Sequence, residues 1–114
     1  MSLYMLLLKQ PAQNKRSSEQ NYDVIRKKYQ EWTQDLVTKG VLVGANKLQD
    51  GKGRTLRWKE SEILDEPFVE TKETIGGYYL LELENDETAS RLARSCPLLT
   101  HQFGSIEIRK IETT

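Results

Sequence analysis

The sequence predicts an α+β fold in a single domain that spans residues 1–114. Three observations predict it: short apolar runs typical of strands, two segments with the apolar spacing of helices, and the order in which they alternate. A length of 114 residues suits one domain. With 37% hydrophobic and 30% charged residues, such a chain is expected to bury a real core without disulfides or metals.

The first part of the chain contains a strand followed by the most regular helix pattern. Residues 3–8 form a continuous apolar run that ends before Pro11, which is typical of a buried strand. Ser17 followed by Gln20 fits a capping box, so a helix is predicted to begin there and to stop at Gly40. The predicted buried face of this helix consists of residues spaced three and four apart: Tyr22, Ile25, Tyr29, Trp32 and Leu36.

The middle of the chain predicts a strand, a small hairpin and a loop. Residues 41–43 restart as a strand, and residues 55–58 form another after a glycine-rich turn, with Leu56 and Trp58 on one face. Residues 63–64 are predicted to return as a short hairpin partner. Because Pro67, two charged clusters and the pair Gly76-Gly77 interrupt it, the segment 65–77 is predicted to be a long structured loop.

The last part predicts a central strand, a second helix and a final strand. Residues 78–83 are apolar on both faces, which favours a central strand. Asn85 or Asp86 is expected to cap a helix that Pro97 ends. Its predicted inward residues are Ala89, Leu92, Ala93 and Cys96. Residues 106–111 alternate apolar and charged side chains, as in a half-exposed strand.

This order, once the small hairpin is set aside, is the split β-α-β motif repeated, which predicts a ferredoxin-like βαββαβ sandwich. Two helices cover only one face of the sheet, and the apolar character of residues 78–83 does not suit open water. We therefore expect a homodimer that packs sheet against sheet, a dimeric α/β-barrel type of assembly, with a pocket between sheet and partner.

Composition narrows the classes of function. No run approaches the ~20 apolar residues of a membrane span, and the apolar start lacks the features of a signal peptide. The single cysteine and single histidine exclude a Cys/His zinc cage. Asp65 and Glu70 could ligate a hard cation, but their spacing fits no Ca²⁺ loop, and neither a metal nor a cofactor is predicted. A reducing cytoplasm is expected for the unpaired Cys96. Balanced charge makes direct nucleic-acid binding an unfavoured interpretation.

Charge is divided between the two halves of the chain. Residues 1–57 hold eleven Lys/Arg and five Asp/Glu, a net of +6, whereas residues 58–114 hold six and twelve, a net of −6. Interleaved strands would mix these charges in space, and this is the favoured interpretation. The alternative is that the charges form complementary faces in a dimer.

A carboxylate-rich segment is the first candidate site. Asp65, Glu66, Glu70 and Glu73 lie within nine residues, with Lys72 among them. A carboxylate packed near an apolar wall can gain a raised pKa and act as general base or acid. The alternative is a loop of solvated charges. Pro67, Phe68 and the glycine pair ending at Gly77 favour a loop of defined shape that a ligand can approach closely.

Two further residues are candidates for proton transfer. Histidine is the side-chain type best suited to proton transfer near neutral pH, and His101 would need a carboxylate partner, for which Asp65 is the candidate. Tyr29 could donate a proton from its phenol, although its helical spacing also suits a core residue. Cys96 has no basic neighbour that would favour a reactive thiolate.

The segment 65–78 also resembles a known signature. It is similar to the motif Asp-Gly-Pro-Phe-x-Glu-Thr-Lys-Glu of the DGPF branch of the YCII-related domain family, with Glu66 in place of the glycine. The resemblance extends over the whole chain through shorter segments: 4–7, 40–44, 77–80, Cys96-Pro97 and 106–109. It implies a dimeric ferredoxin-like fold. Tyr29 stands where the family's suspected catalytic histidine is expected, which argues against a direct transfer of catalysis.

The resemblance leaves two functional hypotheses open. One is a small-molecule enzyme of the lyase, isomerase or dehydrohalogenase type, since one related branch acts on chlorinated hydroquinones. Asp65 would be its base, His101 or Tyr29 its proton donor and Lys72 its stabilising cation, with Phe68, Glu70 and Gly77 also binding the ligand. The other is a non-catalytic ligand-binding or protein-interaction module linked to transcription regulation.

Overall fold

The computed structural model describes residues 1–11, 19–67 and 73–113, without the side chains of residues 19–22. Within them the chain forms six strands and three helices. In chain order these are β1 (Ser2–Pro11), α1 (Glu19–Thr38), β2 (Leu42–Lys47), β3 (Arg54–Lys59), β4 (Glu62–Pro67), β5 (Glu73–Leu83), α2 (Asp86–Arg94), α3 (Pro97–Thr100) and β6 (Ser105–Lys110).

The main sheet has four antiparallel strands in the order β2-β5-β1-β6. Helix α1 connects β1 to β2, and β5 lies between these two strands. Helix α2, with α3 after it, connects β5 to β6, and β1 lies between them. This is the paired split β-α-β arrangement of a ferredoxin-like fold. The predicted fold class is therefore confirmed, including the extra hairpin, which β3 and β4 form as a separate two-stranded sheet.

The core lies between the helices and one face of the main sheet. On β1 every second side chain is buried, namely Tyr4, Leu6 and Leu8, as the two-residue period of a strand requires. Helix α1 covers them with Trp32 and Leu36. The predicted apolar face of α1 is thereby confirmed at its C-terminal half. Ile25 and Tyr29 are half-buried, and the side chain of Tyr22 and the predicted cap Ser17 lie outside the described residues.

The ends of the helices show the expected local chemistry. Gly40 follows α1 with a φ of 73°, a left-handed conformation that glycine adopts without strain. Asn85 is the N-cap of α2, and its side chain accepts a hydrogen bond from the backbone N–H of Thr88 at 2.9 Å. Pro97 does not end α2, which stops at Arg94. Instead it occupies the first turn of α3, where its missing N–H costs no hydrogen bond.

The prediction of a loop over residues 65–77 is wrong at both ends. Strand β4 continues to Pro67, and β5 begins at Glu73 rather than at Tyr78. The reason lies in the partner strand, because β1 is ten residues long and its end continues to pair with the start of β5 beyond a register shift at Leu8/Lys9. Backbone pairing therefore overrides the local turn signal of the two glycines. Residues 68–72 lie outside the described part of the chain.

The face of the main sheet opposite the helices carries half-buried apolar side chains. Leu3, Met5 and Leu7 alternate with the core residues of β1, and Tyr78 and Leu80 lie beside them on β5. This surface suits the predicted homodimer, which stays a prediction. No helix in the described residues is both long and apolar enough to cross a membrane.

Candidate functional site

A cavity of about 390 Å³ lies between α1 and the end of the sheet where β1, β2 and β5 meet. Apolar and aromatic residues form one part of its lining: Leu8, Ile25, Tyr29, Tyr78, Tyr79, Leu98 and Phe103. Polar residues and two glycines form the other part: Gln10, Arg26, Asn46, Lys47, Asp50, Gly76 and Gly77. A cavity of this size with few polar groups fits a compact organic molecule.

The aromatic wall is held in place from behind. Tyr79 on β5 donates or accepts a hydrogen bond of 2.6 Å with the Thr33 hydroxyl of α1. The ring of Trp32 meets that of Tyr79 edge-on, with centroids 4.8 Å apart and planes at 71°. The Trp32 indole N–H in turn donates to the Ser95 hydroxyl at 2.9 Å. These contacts fix the wall without a ligand.

Tyr29 is the predicted proton donor that the structure places in the cavity wall. Burial raises the pKa of Tyr29 well above its ordinary value, and a hydrogen bond with the Cys96 thiol raises it further. The phenol therefore stays protonated at neutral pH. It can donate a hydrogen bond or a proton to a ligand, but it cannot act as a base there.

Cys96 lies directly behind Tyr29 and is fully buried. Burial raises the pKa of the Cys96 thiol to about 11, so at neutral pH the sulfur carries its proton and is a poor nucleophile. Since their shared hydrogen bond raises the pKa of Tyr29 and lowers that of Cys96, the Tyr29 O–H donates to the Cys96 sulfur, and the phenol must give up this contact in order to donate to a molecule in the cavity.

The rim of the cavity carries charge. Arg26 on α1 and Lys47 at the end of β2 supply two cations, and both residues are exposed. The Lys47 ammonium lies 3.3 Å from an Asp50 carboxylate oxygen. Asp50 is the one carboxylate among the described lining residues. The rim therefore favours a ligand with an acidic or electron-rich oxygen.

The two residues predicted to work together as base and acid do not line the cavity. Asp65 lies on β4 in the separate hairpin, 3.8 Å from the Arg54 guanidinium, with a half-exposed side chain. His101 follows α3 and stacks on Phe103, with ring centroids 5.9 Å apart and planes at 15°. Since Phe103 lines the cavity, His101 lies one ring behind its wall. The catalytic roles of Asp65 and His101 stay predictions.

Gly77 is the predicted ligand-binding residue that the structure brings to the cavity. It is buried, and its neighbour across the sheet is Lys47 of β2. The other three predicted binding residues, Phe68, Glu70 and Lys72, lie outside the described part of the chain. Among the described residues there is no group of three metal-ligating side chains.

Sequence reasoning missed the charged rim. Arg26 lies three residues before Tyr29 and so at the edge of the same helical face, a spacing that could have indicated it. Lys47 and Asp50 carry no such signal, because they reach the cavity only through the pairing of β2 with β5.

Among solved structures, the fold is similar to that of 5-chloro-2-hydroxyhydroquinone dehydrochlorinase from Burkholderia phenoliruptrix AC1100, solved in complex with 2,5-dihydroxybenzoquinone. The TM-score is 0.59 at 11% sequence identity, and the match covers 98% of this chain and 95% of that one. A comparison with curated protein sequences found no match. The model of the YCII-related domain matches residues 2–113. The chain is therefore a member of the YCII-related domain family.

Proposed function

We propose that this protein is a small-molecule enzyme of the lyase or isomerase type, and that its substrate is a compact hydroxylated ring. The observation that carries the proposal is the cavity of about 390 Å³, which combines an aromatic wall with two cations at its rim. The solved relative of the same fold is bound to a small dihydroxylated quinone, which supports this choice of ligand class.

The aromatic wall would bind the ring itself. Tyr29, Tyr79 and Phe103 offer apolar faces and edges to a flat ligand, and such ring pairs add to the free energy that burial alone provides. Hydroxyl groups on a quinone-like ring are acidic because their negative charge spreads over the other ring oxygens. Arg26 and Lys47 would hold such an oxygen by charge-assisted hydrogen bonds.

The chemistry would be an elimination or a proton shift on the ring. In an elimination a base removes a proton from the ring system, the electron pair forms the new double bond, and the leaving group departs with its bonding electrons. Tyr29 would donate a proton or hydrogen bond to the ring oxygen that gains charge, and the rim cations would stabilise that oxygen. Asp50 is the candidate base within the described lining. The pair predicted from the sequence, Asp65 and His101, is the alternative.

The first test measures the binding of the probe 2,5-dihydroxybenzoquinone by calorimetry. We expect saturable binding to the wild-type protein, weakened roughly tenfold by Tyr29→Phe and by Arg26→Gln, since each removes about one net hydrogen bond. Arg91→Gln, on the exposed surface of α2, is the matched control and should bind as the wild type does. Absence of saturable binding, or equal affinity in all four proteins, would contradict the proposal.

Turnover is tested with a chlorinated hydroxyhydroquinone by measuring chloride release. We expect Tyr29→Phe to lower kcat more than it raises KM, because the phenol acts on charge that develops during the reaction. Tight binding without any turnover would favour the second hypothesis, a non-catalytic ligand-binding module. One observation favours that alternative: Asp50, the carboxylate of the described lining, is exposed and already paired with Lys47.

A further inference from the structure

The β3–β4 hairpin leaves the fold at the rim of the cavity. It lies in the chain between β2 and β5, which are neighbours in the main sheet. Just before the hairpin, the Leu48 N–H donates to the Gly76 carbonyl oxygen at 2.9 Å and so holds the two sides of its base together. Asp50 on one side of the hairpin and Gly76 on the other both line the cavity. The base of the hairpin is therefore a part of the cavity rim.

Two glycines join the sheet to the hairpin. Gly51 and Gly53 have φ values of 66° and 145°, conformations that residues with a Cβ atom rarely adopt. Because glycine changes its backbone angles with little steric cost, a few such residues can absorb the rotation of a whole element. The strands β3 and β4 form a sheet of their own. A rotation of the hairpin about residues 51–53 therefore breaks no pairing of the four-stranded sheet.

The two faces of the hairpin differ in polarity. Trp58 lies directly opposite Ile63, and Leu56 is two residues before Trp58, so all three share one face. Their exposed fractions are 64% for Leu56, 70% for Trp58 and 66% for Ile63. The other face carries charge, including the ion pair of Arg57 with Glu66 at 2.9 Å. A movement that covers the first face and leaves the second in water suits both.

The apolar face of the hairpin and the mouth of the cavity are both open to solvent. Leu56, Trp58 and Ile63 together present on the order of 400 Å² of apolar surface, as much as the largest such patch on a typical soluble monomer. A two-stranded hairpin alone is only marginally stable in water, so covering this face would stabilise it. The charged rim residues Arg26 and Lys47 are exposed as well. One movement of the hairpin would cover both surfaces.

The length of the hairpin matches the width of the cavity. A compact cavity of about 390 Å³ is roughly 9 Å across. Since a strand rises about 3.3 Å per residue, Leu56 lies about 10 Å and Trp58 about 17 Å along β3 from Gly53. The sheet forms one wall of the cavity and α1 forms the other, with Arg26 at its edge. The segment from Leu56 to Trp58 is therefore long enough to cross the opening to α1.

We propose that the β3–β4 hairpin is a lid that turns about residues 51–53 and closes over the cavity of its own chain, with Trp58 on the inner face as a further ligand-binding residue. The closed lid packs the Trp58 indole against the ring of the ligand and the Arg26 guanidinium, since aromatic faces attract both. Closure also excludes water, which strengthens the attraction of Arg26 and Lys47 for a ligand oxygen. The ligand in this inference rests on the proposed function, whereas the closure does not.

Closure is tested without a ligand, by disulfide trapping under mild oxidation. Arg26→Cys/Trp58→Cys should form a disulfide within one chain at least ~10-fold faster than the matched control Arg26→Cys/Lys59→Cys, because Lys59 lies on the opposite face of the hairpin and cannot bring its Cβ atom near α1. The three replaced side chains are exposed, and circular dichroism checks that both variants are folded. Cys96 is buried and does not compete. Equal rates in the two variants, or a disulfide that joins two chains, overturns the proposal.

The role of Trp58 in binding is tested with 2,5-dihydroxybenzoquinone. Trp58→Ala should weaken binding of this probe roughly tenfold, whereas Lys59→Ala on the other face should bind it as the wild type does. Saturation with the probe should slow hydrogen exchange in residues 54–59 roughly tenfold and leave α2 unchanged. Binding of the probe without either effect overturns the lid and leaves the proposed ligand class in place. If the wild type does not bind the probe, the proposed function fails, and the trapping rates alone confirm or overturn the closure.

Discussion

Replacement of Gly77 by alanine tests the register of the central strand and the floor of the cavity together. A Cβ atom on Gly77 would lie 2.9 Å from the Asn46 carbonyl oxygen and 3.4 Å from the Cα atom of Lys47. Both are backbone atoms of β2, so no side-chain rotation can relieve the overlap. Strand β2 must shift, and with it the cavity lining at Lys47.

The magnitude follows from two opposing effects. Inserting a methyl group into a closely packed site costs about 1–3 kcal/mol. The variant gains back about 0.5–1 kcal/mol, because alanine loses less backbone entropy than glycine on entering a strand. We therefore expect Gly77→Ala to lower the free energy of unfolding by about 1–2 kcal/mol. For a chain of 114 residues, each 1 kcal/mol shifts Tm by about 4 °C.

Gly76→Ala is the matched control one residue away. A Cβ atom on Gly76 would lie 3.6 Å from the Gln10 side-chain nitrogen, an ordinary contact with a flexible group. This variant should be neutral or about 0.5 kcal/mol more stable than the wild type. Urea unfolding followed by circular dichroism measures both free energies. Equal stability of the two variants would refute the pairing of Gly77 with Lys47.

Two further predictions concern the titratable groups. The Lys9 ammonium lies 2.7 Å from a Glu107 carboxylate oxygen, and the hydrogen bonds from Lys9 and Arg109 hold the pKa of Glu107 below its ordinary value of 4.5. Glu107 should therefore stabilise the fold above pH 4.5 and lose that contribution as the pH falls further, so the stability difference between wild type and Glu107→Gln should shrink in acid urea titrations. Cys96, whose pKa burial raises to about 11, should react with a disulfide reagent at neutral pH at least ~100-fold more slowly in the native protein than in urea; rapid native labelling would contradict the buried position.

The elements whose signals are local could be predicted from the sequence. The buried positions Trp32 and Leu36 follow from their spacing on a helix, and Asn85 follows from the hydrogen-bond acceptor that the first turn of α2 needs. The alternation of Ile106 and Ile108 indicated β6 in the same way. The order of such elements was enough to predict the ferredoxin-like topology, because few arrangements of these elements satisfy the rules of connection.

The candidate site was predictable only in part, because residues that are far apart in the sequence contact each other there. Tyr29 could be identified as a candidate because it is a polar residue on an apolar helical face. Its contact with Cys96, 67 residues later, shifts the pKa values of both groups and depends on how α1 and the start of α3 pack on the sheet. The placement of Asp65 outside the cavity likewise depends on the hairpin, whose orientation no local pattern indicates.

The sequence by itself determined the fold class and most of the helices and strands, since periodicity, caps and turns act over a few residues. Only the tertiary structure decided where β5 begins, which residues enclose the cavity and that the β3–β4 hairpin leaves Leu56, Trp58 and Ile63 exposed. These features arise from pairing and packing between distant segments, such as β1 with residues 73–77 and β2 with Gly77. Contacts between segments supply the free energy that stabilises these features, so the pattern within one segment does not predict them.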